Sequence, residues 1–439
     1  MLCSLFLTVS TVANELGERF ASVSVHGESG RGEGKTRDDN SGVCGDNLRW
    51  EFDEKTSSLT ISGTGSMSCC SMYSCPWSQF VNLTQHVEIL DGVSSIDSYA
   101  FRYFRVLKTV DLPRSMVTMN SGAFYGCSNL TSAAIPSSVT SIGSYAFYGC
   151  TKLESIAVPS DSQLETIGGD AFYRCESLLS FIIPKTVTSI GSSAFYGCIS
   201  LESVGNVNLN LTTIGSRVFY GCENLTSIAI PSSVTSVGSS AFSGCARLKS
   251  ISVPSGSQLE TIGDYAFERC KSLTSFNIPK TVTSIGNAAF SGCENLTSFA
   301  IPSDSQLETI GNYAFEECIS LTSFIIPKKV ASVGGSAFRE CKNLESVNII
   351  SNRLSRIEHD TFRYCENLTF VAISSSVTSI GAAAFHECTK LRSVVISSDS
   401  QLEFIDNEAF RECHSLTSIS IPVNVTSIGD NAFYNCVDL

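Results

Sequence analysis

From His86 to the end of the chain the apolar positions recur in one order. An inward leucine comes first, then two isoleucine-type positions split by a small residue, then proline. Valine and isoleucine follow, then glycine, then Ala-Phe, then cysteine; the unit from Leu130 to Cys150 shows every element but the first isoleucine, where Ala133 stands. Leu130 and Ile135 fall on the inward side of a strand, with Ser132 and Ala134 pointing outward, because successive side chains alternate between faces. Pro136 has no N–H to donate and marks the strand's end. Val139 and Ile142 form a second inward pair, which predicts a short second strand. Gly143 then allows a turn, and Ala146-Phe147 predicts a short helical turn that buries the phenylalanine.

The repeat is periodic. Cys127, Cys150, Cys175, Cys198, Cys222, Cys245, Cys270, Cys293, Cys318, Cys341, Cys365, Cys388, Cys413 and Cys436 lie 23 to 25 residues apart, and one earlier unit carries Phe104 in the cysteine register. A fixed period of this length with an L-x-x-I-x-I core predicts a leucine-rich-repeat type solenoid. The expected fold is therefore a strand-dominated α/β repeat solenoid of about 15 units, spanning roughly 65–70 Å at about 4.8 Å per strand. The longer units add a loop, SDSQLE or SGSQLE, near Asp161, Gly256, Asp304 and Asp399. Units 143 residues apart also match, as ESLLSFIIPKTV at Glu176 does ISLTSFIIPKKV at Ile319, so a block of six units looks duplicated.

Upstream, Leu48, Trp50 and Phe52 alternate with polar residues, as do Leu59 and Ile61 after a polar turn. This is a β-hairpin with one apolar face, and a lone hairpin is not stable in water, so it is expected to cap the open end of the array. The chain divides into a candidate signal peptide at 1–13, a flexible linker at 14–43, an N-terminal β cap at 44–85 and the solenoid at 86–439. The leader reading rests on the short apolar stretch before Asn14. The array stops at Leu439, the first inward leucine of a strand without its remaining residues, and reads as truncated.

Composition narrows the function. The net charge is −13, with 29 basic and 42 acidic side chains, which argues against binding the phosphate backbone of a nucleic acid. No apolar run reaches the length of a membrane span. Charged residues make up only 16%, and 73 serines supply much of the surface polarity.

The repeated I-P-x-x-V-T-S-I-G-x-x-A-F-x-x-C-x-x-L unit resembles that of the BspA-like leucine-rich-repeat family. The segment CGDNLRWEFDEKTSSLTISGTGSM from Cys44, followed by Pro76-Trp77, is similar to the cap found before such repeats. The resemblance covers residues 44 to 439. It implies a secreted or cell-surface protein of adhesion or ligand-binding type, without chemistry and without cofactors.

The cysteine ladder admits three readings: buried free thiols acting as small hydrophobes, disulfides between neighbouring coils, or a metal site, which a one-per-coil ladder does not supply. Cys44, Cys69, Cys70 and Cys75 form a separate loop-rich group, expected to make two disulfides in a secreted protein, with three connectivities open. Sequons stand at Asn82, Asn129, Asn210, Asn224, Asn295, Asn367 and Asn424 as N-glycosylation candidates, most of them by-products of the repeat word NLT.

The position two residues before each cysteine is the most uneven. It reads Tyr125, Tyr148, Tyr173, Tyr196 and Tyr220, later Arg339, Arg363, His386 and Arg411, then Tyr434. The five tyrosines are the candidate partner-binding stripe, or else they pack on one another along the edge. The basic run is balanced by Glu340, Glu387 and Glu412 and reads as an ion-pair ladder. The strand face is a serine ladder (Ser132, Ser155, Ser180, Ser203, Ser227, Ser250). His359, His386 and His414 stand at different registers, and no phosphate loop, HExxH or nucleophile elbow is present, so no catalytic residue, cofactor site or metal site is assigned. The expected function is non-catalytic binding of extracellular-matrix or cell-surface proteins by a secreted or surface-held monomer. The alternative is a cytoplasmic interaction scaffold.

Overall fold

The structure is a computed structural model that describes residues 40–72, 74–205 and 210–439. The candidate leader, and all of the expected linker before residue 40, lie outside the described residues. Ser41–Val43 is an antiparallel strand against Leu48–Asp53, which pairs in turn with Ser58–Gly63. Leu48, Trp50, Phe52, Leu59 and Ile61 are buried, and the alternation in the sequence is what puts them on one face. The free edge of Ser58–Gly63 pairs in parallel with His86–Ile89, so the hairpin continues directly into the first sheet of the array.

Each coil then repeats three segments. A strand such as Ser132–Ala134 and a shorter one such as Ser141–Ile142 stack in parallel on their equivalents, serine opposite serine from Ser132 to Ser250. The glycine after the second strand is required by contact. A Cβ on Gly143 would lie 2.6 Å from backbone atoms of Asn120 and Ser121 in the previous coil.

The third segment corrects the α/β expectation. Among the described residues the one helix is the three-residue 3-10 turn Ser78–Phe80, and the Ala-Phe segments are successive turns. Two residues per coil, five and one before the cysteine, take positive φ, as in Tyr145 and Gly149 or Tyr265 and Arg269. A right-handed helix cannot run through left-handed residues. Instead the N–H groups of Tyr145, Phe147 and Gly149 reach forward to carbonyls of Gly169, Ala171 and Tyr173 in the next coil, at 2.9, 2.7 and 2.8 Å. Bonds that a helix would spend on itself tie coil to coil.

Two ladders fill the core behind these turns. Phenylalanines from Phe101 to Phe433 stack face to face in an unbroken column, with centroids 5.1 to 5.5 Å apart. Beside them, each of the fourteen cysteines donates its S–H to the phenylalanine carbonyl of the preceding coil, at 3.1 to 3.3 Å. These thiols are free, thirteen of them buried. Burial pushes thiols such as Cys222 and Cys270 well above their usual range, so they are neutral donors rather than nucleophiles. Phe104 replaces cysteine in the first coil and is buried.

Candidate contact surfaces of the solenoid

The turn segment points its phenylalanine and cysteine inward and the residue between them outward. That places Tyr125, Tyr148, Tyr173, Tyr196 and Tyr220 one above another. Their rings are 4.6 Å apart at every step and within 10° of parallel. Each ring therefore covers its neighbours' faces, and what is left outward is the ring edge and the hydroxyl. The hydroxyls of Tyr148, Tyr173, Tyr196 and Tyr220 make no hydrogen bond among the described residues. Burial, then the neighbouring tyrosines, pushes the Tyr148 and Tyr196 phenols upward, so these two remain protonated donors.

The column has a cationic end. Arg102 occupies the same register one coil earlier, with its guanidinium 5.4 Å from the Tyr125 centroid and 4.6 Å from that of Tyr103. Neither residue was singled out from the sequence, although Arg102 stands two residues before Phe104 and the register alone identifies it.

In the later coils the same position carries Arg339, Arg363, His386 and Arg411. Arg339 pairs with Glu316 and Glu340, Arg363 with Asp360, and Arg411 with Glu408 and Glu412. His386 is buried, 3.7 Å from both Glu387 and Glu408. The three histidines have separate surroundings: His359 contacts Asp360, and His414 contacts Glu412 and Asn435. Among the described residues no three His, Cys, Asp or Glu side chains converge on a metal position.

The serine ladder is outward along most of the first sheet, which also exposes the apolar Ile182; Ile325 is exposed in the same way in a later sheet. In the hairpin region Cys44 is bonded to Cys69 and Cys70 to Cys75. All seven sequon asparagines are exposed or half-buried, and the Asn129 and Asn424 amides donate to the carbonyls of Arg105 and Ser400. Cavities among the described residues include an apolar void of about 10 Å³ against Leu211 and Phe219 and an open polar groove of about 330 Å³ running past Asp264, Asn287 and Asn312. No helix of the described residues is long and apolar enough to cross a membrane.

The family described as BspA type leucine rich repeat region, in six copies, matches residues 77–202, 190–319 and 308–439. No curated protein is similar enough in sequence to be matched. A leucine-rich repeat protein from Bacteroides ovatus is 29% identical, over 90% of this chain and 92% of that one, with a TM-score of 0.63. A leucine-rich repeat protein from Eubacterium ventriosum is 24% identical over 90% and 94%, with a TM-score of 0.43. A leucine rich cell surface protein from Faecalibacterium prausnitzii is 24% identical over 91% and 93%, with a TM-score of 0.40.

Proposed function

The chain belongs to the BspA type leucine-rich-repeat family, and from that premise we propose that it is a non-catalytic protein-binding solenoid that works outside the cell as a monomer, with the tyrosine column as its contact ridge. The observation that carries the reading is the column itself. Five rings held 4.6 Å apart are already ordered, so a partner gains aromatic edge contacts and hydroxyl hydrogen bonds at little entropic cost. Because the faces are covered by neighbouring rings, the ridge suits a protein surface with backbone or side-chain polar groups better than a ligand that needs an open aromatic face. The two disulfides favour an oxidising compartment over the cytoplasm, and the sequons are then available for glycosylation.

The hairpin acts as the amino-terminal cap. Trp77 stacks on Phe101 with centroids 5.7 Å apart and donates its indole N–H to the Ala100 carbonyl at 2.8 Å. That carbonyl is one a preceding coil would otherwise satisfy.

The test is binding of the full chain to immobilised extracellular-matrix proteins. Tyr148→Ser combined with Tyr173→Ser is expected to weaken capture at least about tenfold, the loss of roughly 1.4 kcal/mol, with the far-UV spectrum unchanged. Equal binding by the folded double variant rejects the ridge. Secretion is checked separately: peptide mass spectrometry of the native source should find a peptide beginning near Asn14 in medium or surface fractions. Recovery only from lysate, with Met1 retained, rejects the extracellular reading.

A further inference from the structure

We infer that the outward strand face carries two matching contact spots, centred on Ile182 in the first sheet and Ile325 in a later one, and that the chain therefore binds two copies of one basic, apolar protein segment. The inference rests on the protein-binding reading but not on the tyrosine ridge. Ile182 and Ile325 are 143 residues apart, the length of the duplicated block. Both point outward, Ile182 from the end of Ser180–Ile182 and Ile325 from within Ser323–Ile326, and are 51% and 50% exposed. Ile182 rises from small neighbours on both sides, and Ile325 from a small one before it and Asn348 after it. Ile182 is paired with Gly205, whose added Cβ would already touch it at 3.5 Å, and alanines occupy the equivalent outward positions one coil before, Ala157 and Ala300. Beneath each isoleucine lies a phenylalanine, Phe181 or Phe324, wedged between two rings of the main column, which makes the footing rigid.

One coil further on, at the start of the strand, the exposed Glu202 and Glu345 are again 143 residues apart. Neither carboxylate makes an ion pair among the described residues. Each carboxylate stands one coil over and three residues before the isoleucine's partner, Gly205 or Asn348, so the pair complements an extended segment that carries a lysine or arginine a few residues from an apolar one, and the chain's net charge of −13 draws such a segment in. The contrast with the turn edge matters. Between the two blocks every one of the positions from Tyr148 to Glu268 that lie two before a cysteine has changed, whereas Ile182/Ile325 and Glu202/Glu345 are the same. Six coils at about 4.8 Å each separate the spots by roughly 29 Å, so a partner displaying its segment twice at that spacing engages both.

The probe is a short labelled peptide of alternating lysine and leucine, titrated into the full chain with stoichiometry read by calorimetry. Two equivalent sites are expected, and none for a peptide of alternating glutamate and leucine. Ile182→Glu and Ile325→Glu should each reduce the count from two to one, leaving the remaining site's affinity unchanged. The double variant should bind none, with its far-UV spectrum intact. A tandem probe whose linker spans the spots should bind the wild type at least about a hundredfold more tightly than the single peptide, and lose that gain in either single variant. One site in the wild type, no binding, or a count that ignores both isoleucines overturns the inference. In the last case the chain still binds protein and only the placement fails, whereas loss through the tyrosine substitutions alone would return the contact to the ridge.

Discussion

Residues 130–272 and 273–415 are two versions of one block, and they differ in a way that separates what folding requires from what it leaves free. Every phenylalanine three residues before a cysteine in the first block has its partner in the second, from Phe147/Phe290 to Phe267/Phe410. Their stacking distances are the same within a few tenths of an ångström. One residue along, nothing is shared: Tyr148, Tyr173, Tyr196, Tyr220, Ser243 and Glu268 face Ser291, Glu316, Arg339, Arg363, His386 and Arg411. The core position is fixed by contact with the coils on both sides. The outward position needs only a side chain that its stacked neighbours tolerate, whether by ring stacking or by alternating charge. The same backbone therefore supports an aromatic ridge in one half and an ionic ladder in the other.

The sharpest way to break this comparison is to remove a core ring from each half. Phe195→Ala and Phe338→Ala empty equivalent places in the column, each stacked on two neighbours. Each should cost about 3–5 kcal/mol, and the two costs should agree within about 1 kcal/mol when measured by denaturant unfolding. A large difference would mean that the halves are not energetically equivalent inside. A smaller effect separates the edges. Tyr173→Ala loses two stacked contacts and should cost about 1–3 kcal/mol beyond lost area, independent of salt. Its counterpart Glu316→Ala loses a partly exposed ion pair with Arg339 and should cost under about 1 kcal/mol, less again at high salt. Equal salt dependence in the two variants would count against the distinction.

How much of this was legible beforehand follows the same division. The inward pattern gave the coil, its two strands, the buried phenylalanine and the hairpin, because burial imposes a period on Leu130, Ile135, Val139, Ile142 and Phe147. The turn segment reads as helical in the sequence and is a run of turns in the structure. Ala-Phe is good helix sequence, and nothing local reveals that Tyr145 and Gly149 adopt positive φ so that their peptides can serve the next coil. The role of cysteine is equally hidden, since its acceptor is a backbone carbonyl 26 to 28 residues upstream. At the edge, the tyrosine register was plain in the sequence, but whether the rings present faces or edges depends on the coil spacing. The spacing closes the faces.

The smallest expected effect tests the ionic half alone. Ser243 in the first block is replaced by His386 in the second, a buried imidazole with Arg363 and Arg411 in its register on either side and Glu387, Glu408 and Tyr364 around it. Burial first, then the Arg363 guanidinium, holds its protonation below the ordinary histidine range. The unfolded chain thus binds this proton at a higher pH than the folded one does. Stability from His386 is fully present above the ordinary histidine value, and is lost as pH falls from there through the lowered folded value. His386→Gln should therefore flatten the acid side of the stability curve in that window. Arg363→Gln should flatten it partly, because removing the cation lets the folded value rise toward the unfolded one. An unchanged slope in both variants, followed by denaturant midpoints across the window, would show that the histidine is not what makes the second half sensitive to acid.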